Sequence, residues 1–92
     1  MFTAIWFEDW RKVQQLIDKG AYVNAKMPVG KNYYQETPLF LAIFKENLLI
    51  VKLLVNSGAN INAKDNDKTP LDFAKEHGHK EIIKYLESKV NK

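Results

Sequence analysis

The chain has 92 residues and no cysteine, so it is long enough for one domain and can form neither a disulfide nor a reactive thiolate. Its net charge of +3 comes from 14 basic and 11 acidic residues that are interleaved along the chain, a pattern typical of a solvated surface and not of a nucleic-acid-binding face. The N-terminus lacks the basic start of a signal peptide, and no apolar run is long enough to span a bilayer, so we expect a cytoplasmic protein that contacts no membrane.

The N-terminal segment predicts two short helices, over residues 2–8 and 10–19. Asp9 has the side chain of an N-cap residue, and Gly20 suits the left-handed conformation that ends a helix. In the second helix, four apolar residues fall on one stripe at helical spacing, which we expect to face the core. They are Trp10, Val13, Leu16 and Ile17.

A segment with the pattern Gly-Ala-X-(Val/Ile)-Asn-Ala-Lys occurs twice, at residues 20–26 and 58–64. Ten residues lie between the first copy and the next predicted helix start, whereas only four follow the second copy. We therefore expect an extended loop over residues 27–36 and a short second loop, in which Asn66 or Asp67 adopts a positive φ.

The hexamer that starts at Thr37, Thr-Pro-Leu-Phe-Leu-Ala, returns in part 32 residues later at Thr69 as Thr-Pro-Leu-Asp-Phe-Ala. Each threonine can cap a helix whose first turn holds the proline, since the missing N–H of proline costs nothing there. Asn47 is placed to end the helix that follows Thr37 and to precede a second helix over residues 48–57, which Gly58 ends. A return at fixed spacing is typical of a stacked repeat.

These segments and their order resemble the ankyrin repeat, a unit of about 33 residues with one β-turn and two helices. The resemblance covers nearly the whole chain. It implies an all-α solenoid of about three helix-turn-helix units with β-turn fingers, capped at both ends. It divides one domain, residues 1–92, into an N-cap unit at 1–26, a central unit with the extended finger at 27–64 and a C-cap unit at 65–92.

The chain departs from the family signature at Phe40 and Asp72, which stand in place of its histidine, and the first unit has no Thr-Pro-Leu. In both outer units, polar residues also replace apolar residues of the central unit, which suits the two ends of an array. We therefore expect a complete small protein or a capped module. The replacements are Thr3, Lys12 and Gln15 in the first unit and Lys75, Lys80, Glu81 and Glu87 in the third.

The resemblance implies that partner-binding positions lie in the fingers and at the ends of the first helices. Large aromatics occur among them, and these residue types are enriched at binding hot spots. An alternative stays open, since such aromatics could instead pack over the core of the first unit or hold the shape of the long finger. Carried over by alignment, the candidates are Trp6, Phe7, Tyr33, Tyr34, Phe44, Lys45, Asn66, Asp67, Glu76 and His77.

The sequence carries little that indicates chemistry. His77, Gly78 and His79 lie where the family has a structural turn, and a metal site there would need further ligands that the sequence does not place nearby. We predict no catalytic residue, no metal and no cofactor.

The sequence thus predicts a non-catalytic module, monomeric when unbound, that binds a protein partner through its concave face and fingers. An inhibitor or immunity-type role would suit a chain of this size. The alternatives are a self-associating structural scaffold and a host-directed effector module.

Overall fold

The computed structural model describes residues 1–24, 37–64 and 67–90. These ranges contain six helices, arranged as three consecutive pairs with two or three residues between the helices of each pair. The predicted all-α solenoid of helix-turn-helix units is confirmed. The pairs are α1 (Phe2–Trp6) with α2 (Trp10–Asp18), α3 (Pro38–Phe44) with α4 (Leu48–Asn56), and α5 (Pro70–His77) with α6 (Lys80–Val90).

The helices form two layers. The first helices of the three pairs lie in one row, with α1 against α3 and α3 against α5. The second helices form the other row, with α2 against α4 and α4 against α6. Each pair therefore covers the side of the next pair, which is how a solenoid builds a continuous core from units too small to have one.

Local capping explains where the helices begin. At four helix starts the side chain of the preceding residue accepts a hydrogen bond from the backbone N–H three residues along, an arrangement worth about 1 kcal/mol each. The prolines Pro38 and Pro70 occupy the first helical turn, as predicted. The four caps are Asp9, Thr37, Asn47 and Thr69.

The two departures from the family signature have separate structural roles. Phe40 is buried, and its ring meets the edge of Phe73 with centroids 5.7 Å apart, which ties the second pair to the third. Asp72 accepts a hydrogen bond from the Thr69 N–H at 3.2 Å, while the Thr69 hydroxyl accepts one from the Asp72 N–H at 3.2 Å. This reciprocal capping box stabilises the start of α5.

The core runs through all three pairs. Among its fully buried side chains are Ile5 and Val13 in the first pair, Phe40, Ile43, Ile50 and Leu54 in the second, and Phe73, Ile82 and Leu86 in the third.

The predicted core stripe of α2 is wrong for Trp10. Val13 is fully buried and both Leu16 and Ile17 are partly buried, but Trp10 keeps 43% of its surface exposed. Trp10 is the first residue of α2, at the end of the helix pair. The apolar stripe therefore begins at a point on α2 that the neighbouring helices do not cover. The guanidinium carbon of Arg11 lies 5.3 Å from the centroid of its ring.

The polar residues predicted for the outer units are at the surface. Thr3, Lys12 and Gln15 are exposed in the first pair, and so are Lys75, Lys80 and Glu81 in the third, where Glu87 is partly buried. Lys75 and Glu87 form an ion pair with 3.9 Å between Nζ and Oε2.

The turns within the pairs use the same backbone conformation at matching positions. Glu8 has φ 57°, Glu46 has φ 56° and Gly78 has φ 70°. In the short loop before α5, Asp67 has φ 63°, which confirms the predicted positive φ for one of the two candidates.

Several sequence predictions lie outside the described residues. The extended finger at 27–36, with Tyr33 and Tyr34, falls there, as does Asn66. The proposed unit boundaries stay predictions. The first, after residue 26, lies outside the described residues, and the second, after residue 64, lies at their edge.

Asn24 joins the loop after α2 to the loop after α4. Its Nδ2 donates to the carbonyl oxygen of Gly58 at 3.1 Å, and its Oδ1 accepts from the Asn60 N–H at 2.6 Å. The asparagine of the first loop motif therefore satisfies two backbone groups of the next copy. Asn62, the matching residue of the second copy, is exposed, and within residues 1–24, 37–64 and 67–90 its side chain makes no hydrogen bond.

Replacing Leu54 with alanine should lower the free energy of unfolding by about 2–5 kcal/mol, because it leaves a cavity in the central pair. Leu49→Ala is the matched control on the same helix, since Leu49 is 46% exposed, and it should change stability by less than about 1 kcal/mol. Urea unfolding followed by circular dichroism measures both variants. Equal losses would contradict the assignment of the core.

Asn24→Ala should destabilise the chain by about 1–2 kcal/mol, because two backbone groups lose their partner. Asn62→Ala changes the same motif position without breaking a side-chain hydrogen bond, so its unfolding midpoint should stay near that of the wild type. If the two variants unfold alike, the bridge between the loops contributes nothing to stability.

Candidate functional site

The first helices of the first two pairs end in aromatic residues that lie side by side. Trp6 is the last residue of α1, and Phe44 is the last residue of α3. Because α1 and α3 are neighbours in one layer and these residues hold matching positions, their rings meet. The ring planes differ by 14° and the centroids are 6.5 Å apart, which is a stacked arrangement.

A lysine completes this group. Lys45 follows Phe44 directly, and its Nζ lies 4.4 Å from the centroid of the Trp6 ring, within the range of a cation–π contact. The lysine of the second pair thus reaches over the tryptophan of the first. We call Trp6, Phe44 and Lys45 the aromatic patch.

The aromatic patch is accessible to a partner. Trp6 is 49% exposed and Phe44 is 42% exposed, although the residues just before them, Ile5 and Ile43, are fully buried. The structure therefore does not bury Trp6 fully in the core of the first pair. Each residue is thus about half covered, in part by the ring of the other, and about half open to solvent.

Phe7 lies apart from the Trp6–Phe44 stack. It is 74% exposed and lines a groove of about 410 Å³ on the first pair, together with Met1, Lys12 and Leu16. This groove combines residues of α1 and α2, whereas the aromatic patch joins α1 to the second pair. The structure therefore divides two adjacent predicted residues, Trp6 and Phe7, between two surfaces.

The remaining predicted residues among those described lie in the third pair. Glu76, the counterpart of Phe44, is exposed and forms an ion pair with Lys68. The ring of His77 meets Phe73 with centroids 4.4 Å apart and stacks on His79 with centroids 5.7 Å apart. This end of the layer is polar and its side chains have partners.

Asp67, in the finger before α5, is exposed. Within the described ranges, no ring contact or ion pair links Asp67, Glu76 or His77 to the aromatic patch. Tyr33, Tyr34 and Asn66 lie outside those ranges.

Two glutamates that sequence reasoning missed connect consecutive pairs. Glu8 Oε1 accepts from Asn47 Nδ2 at 3.4 Å, and Glu46 Oε2 lies 3.4 Å from His79 Nδ1. In each case the glutamate sits in the turn of one pair, and its partner sits at the start of the second helix of the next pair. Alignment of the three turns could have found this relation, because Glu8 and Glu46 match each other in the repeat.

A second group of cations lies in the other layer, around Tyr85. The Nζ atoms of Lys52 and Lys89 are 5.7 and 5.5 Å from the centroid of its ring. Its hydroxyl is buried, and no hydrogen bond reaches it from the residues that the structure describes. Burial raises the pKa of the Tyr85 phenol above its ordinary value.

In residues 1–24, 37–64 and 67–90, no three histidine, aspartate or glutamate side chains are grouped so that they could hold a metal ion. None of the described helices has the length and apolar character needed to cross a membrane.

Comparison with known proteins identifies the repeats. The family model for ankyrin repeats (3 copies) matches residues 1–92. Alpha-latrotoxin-Lg1a of Latrodectus geometricus is 40% identical over 92 residues, which is 98% of this chain and 6% of the toxin. A putative ankyrin repeat protein of Rickettsia bellii (strain RML369-C) is 34% identical over 83 residues, 87% of this chain and 45% of that protein.

The potassium channel GORK of Arabidopsis thaliana is 38% identical over 65 residues, 70% of this chain and 8% of the channel. The chain thus spans less than half of the length of each of these three relatives. Since the family model matches residues 1–92 and the helix pairs have the architecture that it implies, the chain belongs to the ankyrin-repeat family.

Proposed function

We propose that this chain is a non-catalytic module that binds a protein partner through the surface around the aromatic patch. Ankyrin repeats are generally protein–protein interaction modules, and the family is typically non-catalytic. The observation that carries the proposal is the stack of Trp6 on Phe44, which leaves two large aromatic rings about half exposed.

Exposed aromatic surface favours a partner for a physical reason. Burying apolar area contributes about 25 cal/mol per Å², so covering two half-exposed rings gives a partner a large gain from few residues. Tryptophan is among the residue types most enriched at interface hot spots. The patch is the part of this layer where such a gain is concentrated.

The geometry of the patch also reduces the entropic cost of binding. The Trp6 and Phe44 rings support each other, and Lys45 is held over Trp6. Side chains that already occupy their bound positions lose less rotamer freedom when a partner arrives, a loss that otherwise costs about 0.5–1.5 kcal/mol per side chain.

The polar residues further along the same layer suit the rim of an interface. Glu76 with Lys68, His77 and Asp67 are mostly exposed, and rim contacts of this kind exclude water while adding little affinity. We include the finger residues Tyr33, Tyr34 and Asn66 in the proposed surface on the strength of the family pattern. Phe7 is included as a neighbouring residue that a large partner would reach.

The proposed module binds its partner and catalyses no reaction, which limits the roles that it can have. A module that binds without reacting acts by occupying or positioning its partner, so we propose an inhibitor or immunity-type role, with scaffolding as the alternative. The relatives carry this repeat within proteins named as a toxin, a potassium channel and an ankyrin repeat protein. That variety fits a module whose partner differs from protein to protein.

The test is an affinity capture from a lysate of the encoding organism with three matched baits. Wild type and Leu49→Glu should retain the same protein, whereas Phe44→Glu should lose it, because a carboxylate would be placed against apolar partner surface. Phe44 and Leu49 are 42% and 46% exposed, so the two substitutions introduce the same charge at positions of similar accessibility on opposite layers. We expect binding to weaken at least about 30-fold for Phe44→Glu, the effect of losing a hot spot.

Retention of the same proteins by all three baits would contradict the proposed surface. If Leu49→Glu alone lost binding, the second-helix layer would be the interface. Light scattering over a range of concentrations separates the scaffold alternative, since a self-associating chain increases in apparent mass with concentration and a monomer does not.

A further inference from the structure

We propose that the partner places a carboxylate on Lys45, beside an apolar or aromatic side chain that covers Phe44 and Trp6. This inference rests on the proposed function and names the chemistry of the partner at the same site. The recognised feature is thus an acidic residue next to a large apolar residue on the partner surface.

The first step is that Lys45 has no carboxylate of its own. Within the described residues, the lysine–carboxylate ion pairs are Lys68 with Glu76 and Lys75 with Glu87, and neither includes Lys45. The contact of Glu46 with the His79 imidazole does not include it either. Its ammonium instead lies against the Trp6 ring. A lysine ammonium in this position can still form an ion pair with a carboxylate of a partner.

The second step is that Glu8 and Glu46, at the turns of the first two pairs, and Glu76 of the third pair are already engaged. Glu46, the next residue in the chain, pairs with His79, and Glu8 in the neighbouring turn accepts from Asn47. Glu76, the counterpart of Phe44 in the third pair, pairs with Lys68. Neutralising Lys45 from within this group would break a contact between two pairs or the ion pair of the third.

The third step concerns what happens when a partner covers the patch. Lys45 is already partly buried, and coverage would remove more of the water around its ammonium. A buried cation without a counter-charge is costly, whereas a carboxylate in a desolvated site pairs more strongly than on an open surface. A neutral or basic partner surface is therefore disfavoured here, which gives specificity as well as affinity.

The fourth step is that the preference is local. The other end of the layer carries the Lys68–Glu76 pair, in which the two charges balance. The described part of this surface thus combines an apolar and cationic end with a polar end that carries both signs of charge. We therefore expect the acidic and apolar segment of the partner to lie over the first two pairs.

The experiment is a selection from a displayed library of random peptides on four immobilised proteins: wild type, Lys45→Glu, Lys84→Glu and Phe44→Glu. Lys84 is an exposed residue of α6, so Lys84→Glu makes the same change in net charge away from the patch. From each selection, only peptides that fail to bind Phe44→Glu are compared, which restricts the comparison to the patch.

We expect wild type and Lys84→Glu to enrich peptides with aspartate or glutamate next to an aromatic or aliphatic residue. Lys45→Glu should enrich lysine or arginine at that position instead. Individual acidic peptides should bind Lys45→Glu about tenfold or more weakly than wild type in fluorescence anisotropy. Lys45→Met keeps the apolar stem without the charge, so in the same anisotropy measurements it should bind acidic peptides no more tightly than neutral apolar ones.

Two results would overturn the inference, and they are distinguishable. If Phe44-dependent peptides are enriched but their charge is the same on Lys45→Glu as on wild type, the carboxylate is not recognised and the proposed function stands. If no Phe44-dependent peptide is enriched on wild type, the proposed surface itself fails and this inference fails with it. Thermal melts of Lys45→Glu and Lys45→Met close to that of wild type show that the comparison concerns folded chains.

Discussion

Burial of apolar side chains between consecutive helix pairs is the interaction on which the rest of this structure depends. The described helices have 5 to 11 residues, and helices this short are marginal on their own in water. They persist because each pair buries one face against the next. Phe40 on Phe73 is a clear case, since the contact lies between the second and third pairs.

The same stacking sets the register of polar contacts at the turns. Glu8 and Glu46 occupy left-handed backbone positions, which cost an ordinary residue about 1–2 kcal/mol relative to a right-handed one. Their carboxylates reach Asn47 and His79 of the following pairs, so the strained turn also places a contact between units. In the third pair, Gly78 takes the position without a side chain.

Stacking also creates the binding surface that we propose. Trp6 and Phe44 are 38 residues apart in the chain, yet they hold matching positions and lie in adjacent helices of one layer. This arrangement brings their rings into a stack, and the ammonium of Lys45 lies over the Trp6 ring. In a repeat architecture, residues at the same position of consecutive units lie side by side and form one continuous surface. Here that surface is aromatic and cationic at one end and polar at the other.

The sequence by itself determined what depends on local chemistry and on the repeat. The caps at Asp9 and Thr37 follow from hydrogen bonds that span three residues, and the returning hexamer indicated the family and the all-α solenoid. The tertiary structure alone decided exposure and pairing between units: Trp10 is exposed despite its place on an apolar stripe, and Trp6 and Phe7 belong to different surfaces. The reason is that helical periodicity fixes the direction of a side chain about its own helix axis, whereas its burial and its partners depend on where neighbouring helices begin and end.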